Sequence, residues 1–165
     1  MRTRFRLGLA LVSVVVALSV AGYAVAASIA SDFVGSGSTR YAMVAMGPET
    51  STTTTSIDFV DIADMSVVVG IPSNKMADLI ITFSAEVNTC DAMFVRATID
   101  GTAAAPSYTQ FQWNFSGGAD SHSFTFFQKG IGSGPHTVAM QWHGLSTCVW
   151  QFMAARSLIV TANIH

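Results

Sequence analysis

Four histidines, two cysteines and one dense run of aspartates are the side chains of this sequence whose types could do chemistry. His136 and His143 bracket the apolar segment "HTVAMQWH". On an extended strand they would point to opposite faces and stand roughly 23 Å apart at about 3.3 Å per residue, so no single metal ion could take both. His122 opens the segment "HSFTFF", and His165 is the last residue. There is no HExxH, no CxxC and no His-x-His, the spacings that let helices and turns present ligands to zinc. Each histidine therefore reads as a polar cap at a strand end, and the sequence calls for no metal and no cofactor. Asp58, Asp61 and Asp64 in "DFVDIAD" are dense enough for calcium, but the run lacks the glycine and terminal glutamate of an EF-hand loop and reads as a solvated turn. Nor does a G-x-S-x-G nucleophile elbow occur.

The elements that must position these residues show themselves by period-2 alternation between turn clusters. Asp78 to Val87 sets Leu79, Ile81, Phe83 and Ala85 on one face; Ala92 to Asp100 does the same with Met93, Val95, Ala97 and Ile99. Tyr108 to Phe115 offers Thr109, Phe111, Trp113 and Phe115, and His122 to Lys129 offers Phe124 and Phe126. Val138, Met140 and Trp142 share a face between His136 and His143, and Leu158, Val160, Ala162 and Ile164 share one at the end of the chain. With Tyr41 to Met46 and Met65 to Val69 this makes about eight strands and no helical period. The predicted fold is all-β, an antiparallel β-sandwich of jelly-roll character. Glu86, Arg96 and Arg156, rare charges inside apolar strands, are expected to form cross-strand ion pairs, the functional alternative being a polar cleft on the sheet face that recognises a ligand.

If successive strands reverse direction, the loops sort to two ends. Segments 88–91, 116–121 and 144–150 gather at one end, and both Cys90 and Cys148 fall there. An exported chain with two cysteines so placed is expected to pair them, which stabilises the fold by roughly 4 kcal/mol in the chain-entropy model. The pairing invites comparison with an immunoglobulin domain, but Cys90 lies in the turn "NTCD" and position 146 is a serine where such domains carry a tyrosine. On "ITFSAE" at 81–86, "GPHTVAMQW" at 134–142 and "ARSLIVTAN" at 155–163, the chain instead resembles small exported bacterial sandwich domains with a jelly-roll topology similar to C1q and TNF domains. That resemblance implies ligand display and a homo-oligomer, a trimer by analogy.

Export is read from the N-terminus. Arg2, Arg4 and Arg6 precede an uncharged stretch from Leu7 to about Ala30, and Ala24-Val25-Ala26 has the small-x-small pattern of a signal-peptidase site. Residues 1–26 read as a signal peptide, a hydrophobic helix that anchors the chain in a membrane if it is left uncleaved, to about residue 30. Residues 27–56, rich in Ser, Thr and Gly, read as a loosely ordered lead-in with one short strand, and 57–165 as the sandwich domain. Removing the leader takes three of the eight basic residues and none of the ten acidic ones. What remains has no cation patch for phosphates, which argues against nucleic acid.

Two function classes follow. The first is an exported, secreted or extracytoplasmic, non-catalytic domain for binding or assembly. Its ligand would be a glycan or a protein, met by aromatic side chains outside the core parity: Tyr108, Trp150 and Phe94. The second is an exported hydrolase whose site lies at the cysteine end, where Asp91, Asp120, His122 and His143 are the titratable groups that loop geometry could gather.

Overall fold

The computed structural model describes residues 29–33, 38–111, 119–145 and 151–165 of the 165. The expected signal segment, Trp113, Phe115, Cys148 and Trp150 lie outside the described residues. In chain order the strands are β1 (Ile29–Phe33), β2 (Thr39–Met46), β3 (Thr52–Thr54), β4 (Val60–Ile71), β5 (Ala77–Thr89), β6 (Met93–Ile99), β7 (Thr102–Ala103), β8 (Thr109–Phe111), β9 (Asp120–Ile131), β10 (Gly134–Gly144) and β11 (Gln151–Ile164), with a 3-10 turn at Pro48–Thr50. One sheet runs β1-β2-β11-β5-β9 with β3 also on β11; the other runs β4-β10-β6-β7 with β8 also on β6. Every pairing is antiparallel.

The alternation that defines the strands also defines the core. Leu79, Ile81, Phe83 and Ala85 of β5, Phe126 of β9 and Leu158, Val160 and Ala162 of β11 face Val67 and Val69 of β4, Val138, Met140 and Trp142 of β10, and Met93, Val95, Ala97 and Ile99 of β6; all are buried. Each large apolar side chain so buried contributes about 1.5–3 kcal/mol relative to exposure. The expected sandwich is therefore the observed one, with its inward residues as the period-2 reading placed them.

Where the structure departs from expectation, the reason is pairing between distant segments. Residues 27–56 are more than a lead-in: they supply β1, β2 and β3, and β2 lies inside the first sheet with Ala42, Val44 and Met46 in the core. The strands exceed eight because β1, β3 and β7 join the expected ones; β3 and β7 are three and two residues long, too short to alternate legibly, and each pairs with a longer strand. "DFVDIAD" is mostly strand rather than turn, since Asp61 and Asp64 belong to β4 and only Asp58 sits in a turn closed by Ser56. Asp64 has φ 60°, a left-handed conformation that aspartate tolerates better than most residues.

Among the described residues the anticipated cross-strand ion pairs are not found either. Arg156 shares the inward parity of Leu158 and is 4% exposed. Its Nη1 donates to the carbonyls of Thr50 at 2.7 Å and Ala154 at 3.1 Å, and its Nη2 to that of Ala63 at 3.1 Å. Burial lowers its pKa, opposed by the charge of Asp64. The buried guanidinium is thus a tie between the 3-10 turn, β4 and β11, held by carbonyl dipoles instead of a carboxylate.

Candidate binding face

The side chains of β4, β10 and β6 that do not enter the core cover the outer face of the second sheet, and there they interlock. Register places Gln141 of β10 opposite both Asp61 of β4 and Arg96 of β6. The Gln141 Nε2 donates to Asp61 Oδ1 at 2.8 Å, and Arg96 Nε donates to Gln141 Oε1 at 2.8 Å, giving a three-strand polar rung. The next rung is aromatic, because His143 lies opposite Phe94, which lies opposite Gln110 of β8. The imidazole stacks on the Phe94 ring with centroids 4.6 Å apart and planes 8° from parallel. Phe59, just before β4, meets the other side of His143 edge-on at 4.4 Å. Tyr108 meets Phe94 edge-on at 5.7 Å and is 54% exposed. Arg96 closes the group, its guanidinium carbon 4.0 Å from the Phe59 centroid.

Edge-to-face and offset ring pairs and a cation over a ring are each favourable by about 0.5–1.5 kcal/mol, so the strip is pre-formed rather than loosely hung. It presents apolar ring surface next to hydrogen-bonding groups with directional edges: the Tyr108 hydroxyl, the Asp61 carboxylate and the Arg96 guanidinium. A face of this kind can cover the apolar side of a flat, hydroxylated ligand and bond its rim.

Of the residues singled out from the sequence, His143 and Tyr108 meet here through Phe94. His122 does not join them. It lies on β9 in the other sheet, on the side of Phe124 and Phe126, with the edge of Phe111 at 4.8 Å. Strand membership separates the two histidines: β10 turns His143 outward from one sheet while β9 turns His122 inward from the other. Asp91 is a local turn cap, its Oδ1 accepting the Ala92 N–H at 2.7 Å and its carbonyl accepting the Thr89 hydroxyl at 2.7 Å. Asp120 opens β9 opposite Val87. Cys90 is disulfide-bonded; its expected partner Cys148 and the candidate Trp150 fall outside the described residues. Among the described residues no three His, Cys, Asp or Glu gather in a way that could hold a metal.

The titratable pair that sequence reading missed is at the other end of the sandwich. His136 Nδ1 is 2.7 Å from Asp100 Oδ2, and its Nε2 is 2.9 Å from the Gly132 carbonyl. Asp100 also receives the Thr137 N–H on Oδ1 at 2.9 Å. The hydrogen bond to His136 holds the Asp100 carboxyl below its usual range, and the same bond raises the His136 pKa. A signal was present in Asp100-Gly101, an Asp-Gly hairpin turn in which both residues have positive φ, 50° and 84°. That signal places Asp100 at the tip of the β6–β7 hairpin, and its nearness to His136 then comes from the pairing of β10 with β6.

No family model and no curated protein matches the chain. Among solved structures it is similar to the CBM36-1 domain of a multidomain xylanase from the hindgut metagenome of Trinervitermes trinervoides, at 15% identity and TM-score 0.41, over 72% of this chain and 95% of that one. It is also similar to a CBM36 carbohydrate-binding module solved with calcium and xylotriose, at 12% identity and TM-score 0.39, over 70% and 96%. A CBM4 structure aligns at 16% identity and TM-score 0.35 over 87% and 82%. The chain is an antiparallel β-sandwich. The expected resemblance to C1q and TNF domains is not confirmed.

Proposed function

We propose that this protein is an exported, non-catalytic binding domain whose outer β4-β10-β6 face takes a carbohydrate. The observation that carries the reading is the contiguous strip of Tyr108, Phe94, His143 and Phe59 flanked by the Asp61–Gln141–Arg96 rung. Pyranose rings have one apolar face and a polar rim, which is the complement of such a strip. The hydrolase alternative gathered Asp91, Asp120, His122 and His143 at one end, and with His122 and His143 on different sheets the binding reading is the better supported of the two. Export follows from the N-terminal arginines and apolar stretch, and a Cys90–Cys148 bridge would suit that compartment; mass unchanged by alkylation without reduction checks the bridge. Tyr108→Ala and Phe94→Ala together should weaken retention on immobilised polysaccharides by about tenfold, the equivalent of about 1.4 kcal/mol, with the lost ring contacts lowering the thermal midpoint by a few degrees while the domain stays folded. Undiminished retention by the folded double variant sinks the reading.

Self-association is a second reading, favoured by the opposite face of the molecule. On the first sheet, register lines up Tyr41, Thr161, Ile80 and Phe127 in one row and Met43, Ile159, Thr82 and Thr125 in the next. Tyr41, Met43, Ile80, Phe127 and Ile159 are all exposed. Neither row contains a charge, so a second copy docking there meets no like-charge repulsion, and covering the rows would remove apolar surface from water. Native mass by light scattering tests it: a monomer at all accessible concentrations rules it out.

A further inference from the structure

We propose that Arg96 is the specificity-determining residue of the β4-β10-β6 face and that it selects a carboxylate-bearing glycan, a chain built of uronic acids. The inference rests on the carbohydrate reading above. Its starting point is how Arg96 is held. The Asp61 carboxylate is an acceptor only, so it fixes the Gln141 amide with nitrogen toward β4 and oxygen toward β6, and that oxygen takes the Arg96 Nε–H. One face of the guanidinium is covered by Phe59. The side chain is thereby fixed in plane and direction by groups that leave its charge unneutralised.

The terminal amino groups of Arg96 have no protein partner among the described residues. The ion pair found among those residues is His136 with Asp100, at the far end of the sandwich. Asp61 stands two strands from Arg96, about 10 Å at about 4.8 Å per strand, and its contact is with Gln141. An oriented guanidinium with its terminal edge free matches a carboxylate bidentately, and such charge-assisted bonds are about twice as strong as those to a neutral hydroxyl. Arg96 and Phe94 share a face two residues apart on β6, about 7 Å, a separation that a pyranose ring stacked on the aromatic strip spans with its exocyclic carboxylate. The chain as a whole carries a formal charge of −2, with ten acidic residues against eight basic. Diffuse attraction to polyanions is therefore excluded as the source of a preference, which must come from the site.

Calorimetric titration of the purified protein with hexagalacturonate and with neutral xylohexaose, at low and high salt, tests the assignment. The wild type should bind the uronate about tenfold more tightly than the neutral chain, with the margin shrinking as salt rises. Arg96→Gln should erase that margin, the uronate affinity falling by about tenfold more than the neutral affinity, and Arg96→Lys, which keeps the charge but not the fork, should erase most of it. Equal binding of both probes by the wild type, or an unchanged margin in folded Arg96→Gln, overturns the assignment and leaves the carbohydrate reading standing. Binding of neither probe, together with undiminished retention of the Tyr108→Ala, Phe94→Ala variant on polysaccharide, overturns both.

Discussion

The two outer faces of this sandwich obey the same period-2 rule and end in opposite chemistry. On the β4-β10-β6 face the outward side chains bond to one another: Asp61, Gln141 and Arg96 across three strands, then Phe59, His143, Phe94 and Tyr108 ring against ring. On the β2-β11-β5-β9 face the corresponding rows are apolar or hydroxylated, and among the described residues the side-chain bonds between cross-strand neighbours there are Ser84 to Ser123 at 2.8 Å and Thr39 to Asn163 at 3.5 Å. A surface whose polar groups already hold fixed geometry is prepared for a directional ligand. One whose apolar groups stand exposed gains most by being covered.

The comparison can be broken at its common support. Trp142, 2% exposed beneath the aromatic rung, fills the space between the sheets; Trp142→Ala should cost about 3–5 kcal/mol by urea unfolding and disable both faces together. Loss of carbohydrate retention without that loss of stability would mean Trp142 does not support the faces through the core. A sharper cut spares the core. Ile80→Lys with Phe127→Lys should convert any oligomer to monomer by light scattering while leaving carbohydrate retention intact, since exposed substitutions usually shift stability by less than about 0.5 kcal/mol.

Smaller effects should touch neither face. Gln151 is fully buried, its amide lacks a partner among the described residues, and it packs so closely on Gly144 that a Cβ there would collide with it. Gln151→Met removes the unpaired amide at similar volume and should leave stability unchanged or raise it by up to about 1 kcal/mol. A clear loss of stability would reveal a partner for the amide. The smallest change belongs to the His136–Asp100 clip. His136 has a raised pKa, so its contribution is full below the ordinary histidine value and fades as pH rises through the folded value. Asp100 has a lowered pKa, so its contribution is present above the ordinary carboxylate value and is lost as pH falls through the folded value. Both act together in weakly acidic solution, between about pH 4 and 6.5. The Asp100 side chain is 52% exposed, so solvent screening keeps the gain under about 1 kcal/mol. Asp100→Asn should lower the thermal midpoint within that range and change it less above and below it.

Much of this was legible in the chain itself. Parity is a local property: neighbouring residues on an extended backbone point to opposite sides whatever the strand pairs with. It is why Leu79, Val95, Met140 and Val160 could be placed in the core, and why Trp142 and His143 could be sent to opposite faces. Partnership between strands is not local. The sequence held no sign that His143 would stack on Phe94, 49 positions away, rather than meet His122, or that Arg156 would find carbonyls in place of a carboxylate. A two-residue strand such as β7 has no pattern of its own and owes its form to β6. The sequence by itself determined the architecture and each strand's inner and outer faces, through hydrophobic burial acting on a period of two. Only the tertiary structure decided which outer residues became neighbours, because sheet order is fixed by the free energy of the whole core and not by any one strand.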